Sequence, residues 1–213
     1  EIFMKQLREQ FGLDEPIWQQ FIFYVGNVLQ GDLGYSYRQG MSVANLIAER
    51  LPATLLLTGT AFLFALLAGI VLGSIAAAKA GKMPDLVVSI LSLVFYATPL
   101  FWIGMMSILL FSVWLGWFPA FGMITVGANL RGWDYVLDVA HHLVLPAFTL
   151  GLFYMTVYSR MTRASMLEVR DMDFVRTARA KGLAPSIILR RHMLRNAILP
   201  VITLAGIQAG QLV

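Results

Sequence analysis

The chain has 213 residues, 58% of them hydrophobic and only 13% charged, which is too little polar surface to cover a soluble core of this length and reads as a membrane protein. Its formal net charge of +4 is uneven: Arg160 to Arg195 holds nine Lys or Arg against three acids, a local +6 that leaves the remainder at −2. An excess placed beside apolar segments is explained by membrane topology rather than by nucleic acid, and the absence of Cys removes disulfides, thiolate nucleophiles and Cys-based metal sites.

Glu1 to Arg8 lacks an initiator Met and an apolar h-region, so no secretory signal is expected there. The last residues, Gly210 to Val213, lie inside an uncharged run, and both ends therefore read as cut from a longer membrane protein. Residues 1–50 are of mixed character, with Leu7, Phe11, Ile17, Trp18, Phe21, Ile22 and Val25 at broadly helical spacing. Asp14 is expected to cap a helix with Pro16 in its first turn, and Gly31 to Ser36 reads as a turn. This predicts a small helical segment outside the membrane.

Residues 51–213 read as a transmembrane domain. No charge occurs from Leu51 to Ala78, and 28 residues exceed the roughly 20 that cross the hydrocarbon core. The uncharged run from Leu86 to Leu130 is too long for one crossing, so a span over 86–115, kinked near Pro99, is expected to lead into an interfacial segment from Gly116. Trp114, Trp117 and Phe118 would mark the aromatic belt there. A third span is expected over 141–160, with His141 and His142 at its entrance and Pro146 in its first turns, and a fourth from 197 onward to 213. The Lys79 to Asp85 turn and the 161–196 loop are basic while the Trp117 to Asp138 loop is not, which places the two basic loops in the cytoplasm and residues 1–50 outside.

Chemistry is sparse. There is no G-x-x-x-x-G-K-[ST] phosphate loop, no H-E-x-x-H and no G-x-S-x-G. Adjacent His141 and His142 diverge by about 100° on a helix and read as an interfacial pair bonded to loops or headgroups rather than a metal site. Apart from Arg160 at the edge of the third, the expected spans contain no Asp, Glu, Lys or Arg, which disfavours a proton relay, and polar residues at membrane depth for an intramembrane enzyme are confined chiefly to Ser, Thr, Tyr and Gln. A channel needing no ATPase is a further alternative. Gly69-x-x-x-Gly73 and Gly206-x-x-x-Gly210 suit close helix packing within a bundle. Thr98, Pro99 and Trp102, in Tyr96 to Trp102, surround a structural kink that could also line a path.

In the basic loop, Asp171 or Asp173 can cap a two-turn helix over about Phe174 to Lys181, ended by a left-handed Gly182, with Pro185 starting the next helix. Arg176, Arg179 and Ala180 would share a face. So short a helix must pack on something, either the bundle or a partner.

Phe174-Val175-Arg176-Thr177-Ala178-Arg179-Ala180-Lys181-Gly182 and Arg191 to Pro200 resemble the cytoplasmic EAA loop of ABC importer permeases, and in particular the dipeptide and oligopeptide branch. Gly31 to Ser36, Glu49 to Leu55 and Leu115 to Ala120 extend the resemblance over nearly the whole chain. Arg176, Thr177 and Ala178 stand where the general pattern has Glu-Ala-Ala, and Leu199-Pro200 comes five residues late; both departures resemble the peptide branch, and no Glu-based contact carries over. The resemblance implies an all-α, polytopic helical bundle of the type I importer permease fold, here without its first and last spans, in a bacterial or archaeal cytoplasmic membrane. It implies that Phe174 to Gly182 is a coupling helix set into a groove on a separate ATPase, with small Ala178 and Ala180 allowing close docking. It further implies a homologous second permease, two ATP-binding subunits that carry the ATP and Mg, an external solute-binding protein and surrounding lipid as partners, with no cofactor in this chain. Peptides are the implied cargo, with nickel, glutathione or oligosaccharides as alternatives within the family.

Overall fold

Small residues repeat every four positions along the first long helix, and this spacing explains how the bundle packs. The computed structural model describes residues 15–210. Leu7, Phe11 and the expected Asp14 cap lie outside the described residues, as do 211–213 of the expected fourth span. Two compact units are present, up to Pro52 and from Ala53.

In the first unit, α1 (Ile17–Leu29) buries none of its residues. Pro16 occupies its N-cap position instead of its first turn, since the ring supplies φ of −54° while ψ stays extended at 144°. The expected turn at Gly31 to Ser36 is an Asx turn, in which the Gly34 N–H donates to Asp32 Oδ1 at 2.9 Å. It leads into a short antiparallel hairpin that sequence reading missed, β1 (Tyr35–Ser36) against β2 (Met41–Ser42).

Helix α2 (Val43–Ala78) starts well before Leu51. The charge boundary marks only where Glu49 and Arg50 stop, and a helix continues through charged residues outside the membrane; the Asn45 N–H bonded to Ser42 Oγ at 3.3 Å caps its true start. Further along, Ala61, Ala65, Gly69 and Gly73 are buried while Leu63, Leu67, Val71 and Ile75 stay exposed. Both rows advance by four, so one helix face is smooth and inward, the other bulky and outward. A Cβ added at Gly69 would lie 2.6 Å from the Tyr158 Cβ, and one at Gly73 2.5 Å from the Ser159 carbonyl. Backbones approach this closely where van der Waals packing, rather than water exclusion, holds helices together.

The segment expected as one kinked span is two helices, α3 (Met83–Ala97) and α4 (Leu100–Ser107), the latter continuing as a π-helical stretch over Ile108–Trp114. They are bent by 104°. Pro99 does more than kink: it pushes Thr98 into the extended region at ψ 132° and then supplies the extended N-cap of α4, so α3 ends outright. Beyond it, Trp114 and Trp117 are exposed.

Helix α5 (Trp133–Arg170) is the axis of the second unit, touching α3, α4 and α8 (Arg195–Ala209). It is longer at both ends than the expected 141–160 span, because Asp134 in its first turn and Arg170 in its last suit the helix dipole outside the apolar stretch. The expected 161–196 loop is therefore helical to Arg170. After it come α6 (Asp173–Ala180) and α7 (Pro185–Ile187), with a π-helical stretch, Ile188–Leu194, joining α7 to α8. One core cluster joins Ala65, Ile103, Leu152, Met155, Tyr158, Val201 and Ala205 from four helices. The structure is an all-α membrane bundle; α2 and α5 are each long and apolar enough to cross a bilayer, and α3 with α4 forms a bent third element.

Candidate functional site

The two-turn helix in the basic loop is the place where three long helices converge. Val175 and Ala178 point inward, 0% and 4% exposed, into a cluster with Ala77 at the end of α2, Met166 and Val169 at the end of α5, Ile188 and Met193 of the π-helical stretch, and Ala197 of α8. Spacing of three residues puts Val175 and Ala178 on one face, and burial of that face is what stabilises so short a helix. The remaining residues of α6, Phe174, Arg176, Thr177, Arg179 and Ala180, are exposed, as are Lys181 and Gly182. Ala178 is thus not available to a partner's groove, contrary to the expectation; its small side chain permits contact with this chain's own core.

The ends of α6 are built differently from one another. Neither Asp171 nor Asp173 caps it: Met172 holds the N-cap position without a side-chain bond, Asp171 follows the end of α5, and Asp173 is the first helical residue. Asp173 instead lies 3.6 Å from Arg176, one turn on, and favours the helix through its dipole. At the other end Gly182 has φ +73°. Its N–H donates to the Arg179 carbonyl at 2.9 Å and the Leu183 N–H to the Ala178 carbonyl at 3.3 Å, the paired closure of a Schellman motif.

Just above this junction a charged contact fastens α3 to α5. Arg163 donates from Nε to Asp85 Oδ1 at 2.5 Å and from Nη2 to Oδ2 at 2.8 Å. The Gly81 N–H, in a turn with φ +75°, donates to the same carboxylate at 2.9 Å. Asp85 is 5% exposed, and a carboxylate that deeply placed needs such donors. Both residues fall just outside the spans expected from charge, Asp85 one residue before Leu86 and Arg163 three after Arg160, so the pair is not evident from the sequence. Asp85 in the first turn after Pro84 was the available signal.

At the other end of the bundle the candidate path residues separate. Thr98 and Pro99 line a cavity of about 360 Å³ at the α3–α4 elbow, together with Tyr96, Leu150, Phe153 and Tyr154. Trp102 is not among its walls and is half exposed. His141 meets the Trp117 carbonyl through Nε2 at 2.7 Å, and His142 Nδ1 lies 2.8 Å from the Asp138 carbonyl. Each ring is therefore engaged with backbone. Thr125 donates from its N–H and its hydroxyl to Asp138, both at 2.7 Å, which ties the loop before α5 to that helix.

Residues 69–213 match the family described as binding-protein-dependent transport system inner membrane components. The chain belongs to this family. It is 43% identical, over 95% of its length, to a di/tripeptide transport system permease protein, DppB, of Pseudomonas aeruginosa. It is 41% identical, again over 95% of its length, to an oligopeptide transport system permease protein, AppB, of Bacillus subtilis. A glutathione transport system permease protein, GsiC, of Escherichia coli is also 41% identical, over 96% of the chain. The chain spans 65%, 63% and 62% of the length of these three relatives. The matched region contains all of α5, α6 and α8 as well as the Asp85–Arg163 pair.

Proposed function

We propose that the chain is a transmembrane permease subunit of an ATP-driven ABC importer for di- or oligopeptides, and that α6 is its coupling helix. The observation that carries this reading is the seat of α6: Val175 and Ala178 fix it to the ends of α2, α5 and α8 at once, while its other face is open. A push on the open face moves three helices together, because a packed core transmits displacement instead of absorbing it. The Schellman closure at Gly182 gives the helix a firm end, so it acts as a short rigid lever.

On this reading two separate ATPase subunits bind ATP and Mg, close on one another, and carry the coupling helices of this chain and of a homologous second permease. The exposed Arg176, Thr177, Ala180 and Lys181 meet the ATPase groove. Residues 161–196 are cytoplasmic, residues 1–50 lie outside, and the membrane is a bacterial or archaeal inner membrane. A solute-binding protein delivers cargo from outside, and no cofactor is bound by this chain. The elbow at Thr98 and Pro99 lines the path, since α3 ending at Ala97 leaves its last carbonyls without helical donors beside the cavity. Amide-rich cargo suits such a wall. The glutathione-system relative supports a second reading in which the same machinery carries that short peptide.

The test is reconstitution of the full-length protein with its second permease and ATPases. A loaded binding protein raises ATP hydrolysis in the intact complex, and Ala180→Trp abolishes the rise. Hydrolysis indifferent to both the binding protein and the Ala180 change would overturn the coupling role, and uptake assays with labelled dipeptide, oligopeptide and glutathione decide the cargo.

A further inference from the structure

The turn after α2 and the basic loop line an open cavity of about 510 Å³, within the roughly 300–1,000 Å³ of small-molecule sites. Lys79 and Lys82 approach it from the turn, Arg170 from the end of α5 and Arg179 from α6. The rest of the lining is mostly apolar, with Leu183, Ile188, Leu189 and Met193 among its residues. Among the described residues, Lys79, Lys82 and Arg179 are within ion-pair distance of no carboxylate; Arg170 lies 3.5 Å from Asp171, and nearby Asp85 is already committed to Arg163 and Gly81. Four cations thus converge on one space with one loosely paired acid beside them.

We propose that this cavity binds the phosphate headgroup of an acidic phospholipid from the cytoplasmic leaflet. Its cations sit where an apolar helix ends and a cytoplasmic turn begins, which is headgroup depth for α2, and basic pockets between helices on that side suit acidic headgroups. The apolar wall accepts the glycerol and the first methylenes, which a free phosphate lacks. Arg179 belongs to α6 and Lys79 to the turn after α2, so one bound phosphate bridges the lever to the bundle beyond the contacts of Val175 and Ala178. The site does not depend on α6 acting on an ATPase.

The test is native mass spectrometry of the delipidated full-length protein with dioleoyl phosphatidylglycerol, dioleoyl phosphatidylcholine or glycerol 1-phosphate as probes. Selective retention of phosphatidylglycerol is expected, reduced about fivefold for each charge removed in K79Q, K82Q and R179Q. K79R/K82R retains binding, and R190Q/R191Q, whose positions do not line the cavity, leaves it unchanged. Equal retention of phosphatidylcholine, or equal loss in R190Q/R191Q, would overturn the site. Binding of glycerol 1-phosphate as tight as that of the lipid would assign it to a soluble anion instead. Should K82Q/R179Q release the ATPase subunits from the complex while lipid retention stays at wild-type level, the cavity belongs to an acidic protein segment and the proposal fails.

Discussion

Arg163 holds Asp85 with two parallel hydrogen bonds across the α3–α5 contact, 2.5 Å from Nε and 2.8 Å from Nη2. The pair stands one turn from Met166, which packs against the buried face of α6, so it braces the bundle where a lever would pull. Planar guanidinium matched to carboxylate fixes both distance and angle, which a Lys at this position could not do.

Breaking that brace strands a buried group. Asp85→Asn and Arg163→Gln should each lower stability by roughly 1–3 kcal/mol, whereas the double change should cost less than the two losses added. Thermal unfolding of the four proteins in one detergent checks this, and strict additivity would show that the two side chains do not act together.

Glycines at the two small-residue motifs should behave oppositely. Gly73→Ala puts a methyl 2.5 Å from the Ser159 carbonyl and 2.7 Å from the Thr162 Cβ, so α2 and α5 must separate at a cost of about 1–3 kcal/mol. Gly206→Ala meets nothing within 4 Å and should leave the stability of the chain unaltered or slightly raised. Paired melting curves decide; a larger loss at Gly206 would refute the packing read from the structure.

Ala178 and Ala180 differ by two residues and face opposite ways. Ala178→Leu overfills the cluster of Val175, Met166 and Ile188, and should lower the melting temperature of the chain itself. Ala180→Leu should leave the melting curve in place and impair only stimulation of the ATPases by loaded binding protein. Equal melting temperatures for the two variants would contradict the assigned faces.

Gly182 is held at φ +73° with open space where a Cβ would go, so the penalty for Gly182→Ala is conformational rather than steric. It should be about 1–2 kcal/mol, with Gly182→Asn milder because Asn tolerates this region. Hydrogen exchange at the amides of 176–183 reads the loss, since α6 unravels from its closed end; unchanged exchange in the Ala variant would mean that the glycine does not terminate the helix.

Much of the fold was legible in the residues because the bilayer imposes a coarse rule: uncharged runs of sufficient length become helices. Leu51 to Ala78 illustrates this, and also its limit, for the rule finds the apolar stretch but not the helix, which starts at Val43 under a Ser42 cap. Gly182 and Pro185 mark the C-terminal end of α6 and the start of α7 to within a residue or two, since left-handed φ and a missing N–H are local properties. The hairpin at Tyr35 and Ser42 was not legible, because two residues per strand leave no alternation to detect.

Composition and charge asymmetry were enough by themselves to mark a membrane bundle and to single out the basic loop within it, while the transport permease family came from the resemblance that four separated motifs carry. These are one-dimensional properties, set by what lipid excludes and by local backbone chemistry. Which face of α6 is buried, that Asp85 meets Arg163 across 78 positions of sequence, and that Lys79, Lys82, Arg170 and Arg179 surround one cavity were decided only by the tertiary structure. Those relationships depend on how α5 crosses its neighbours, and a crossing is set by side chains meeting from distant segments, which no local pattern records.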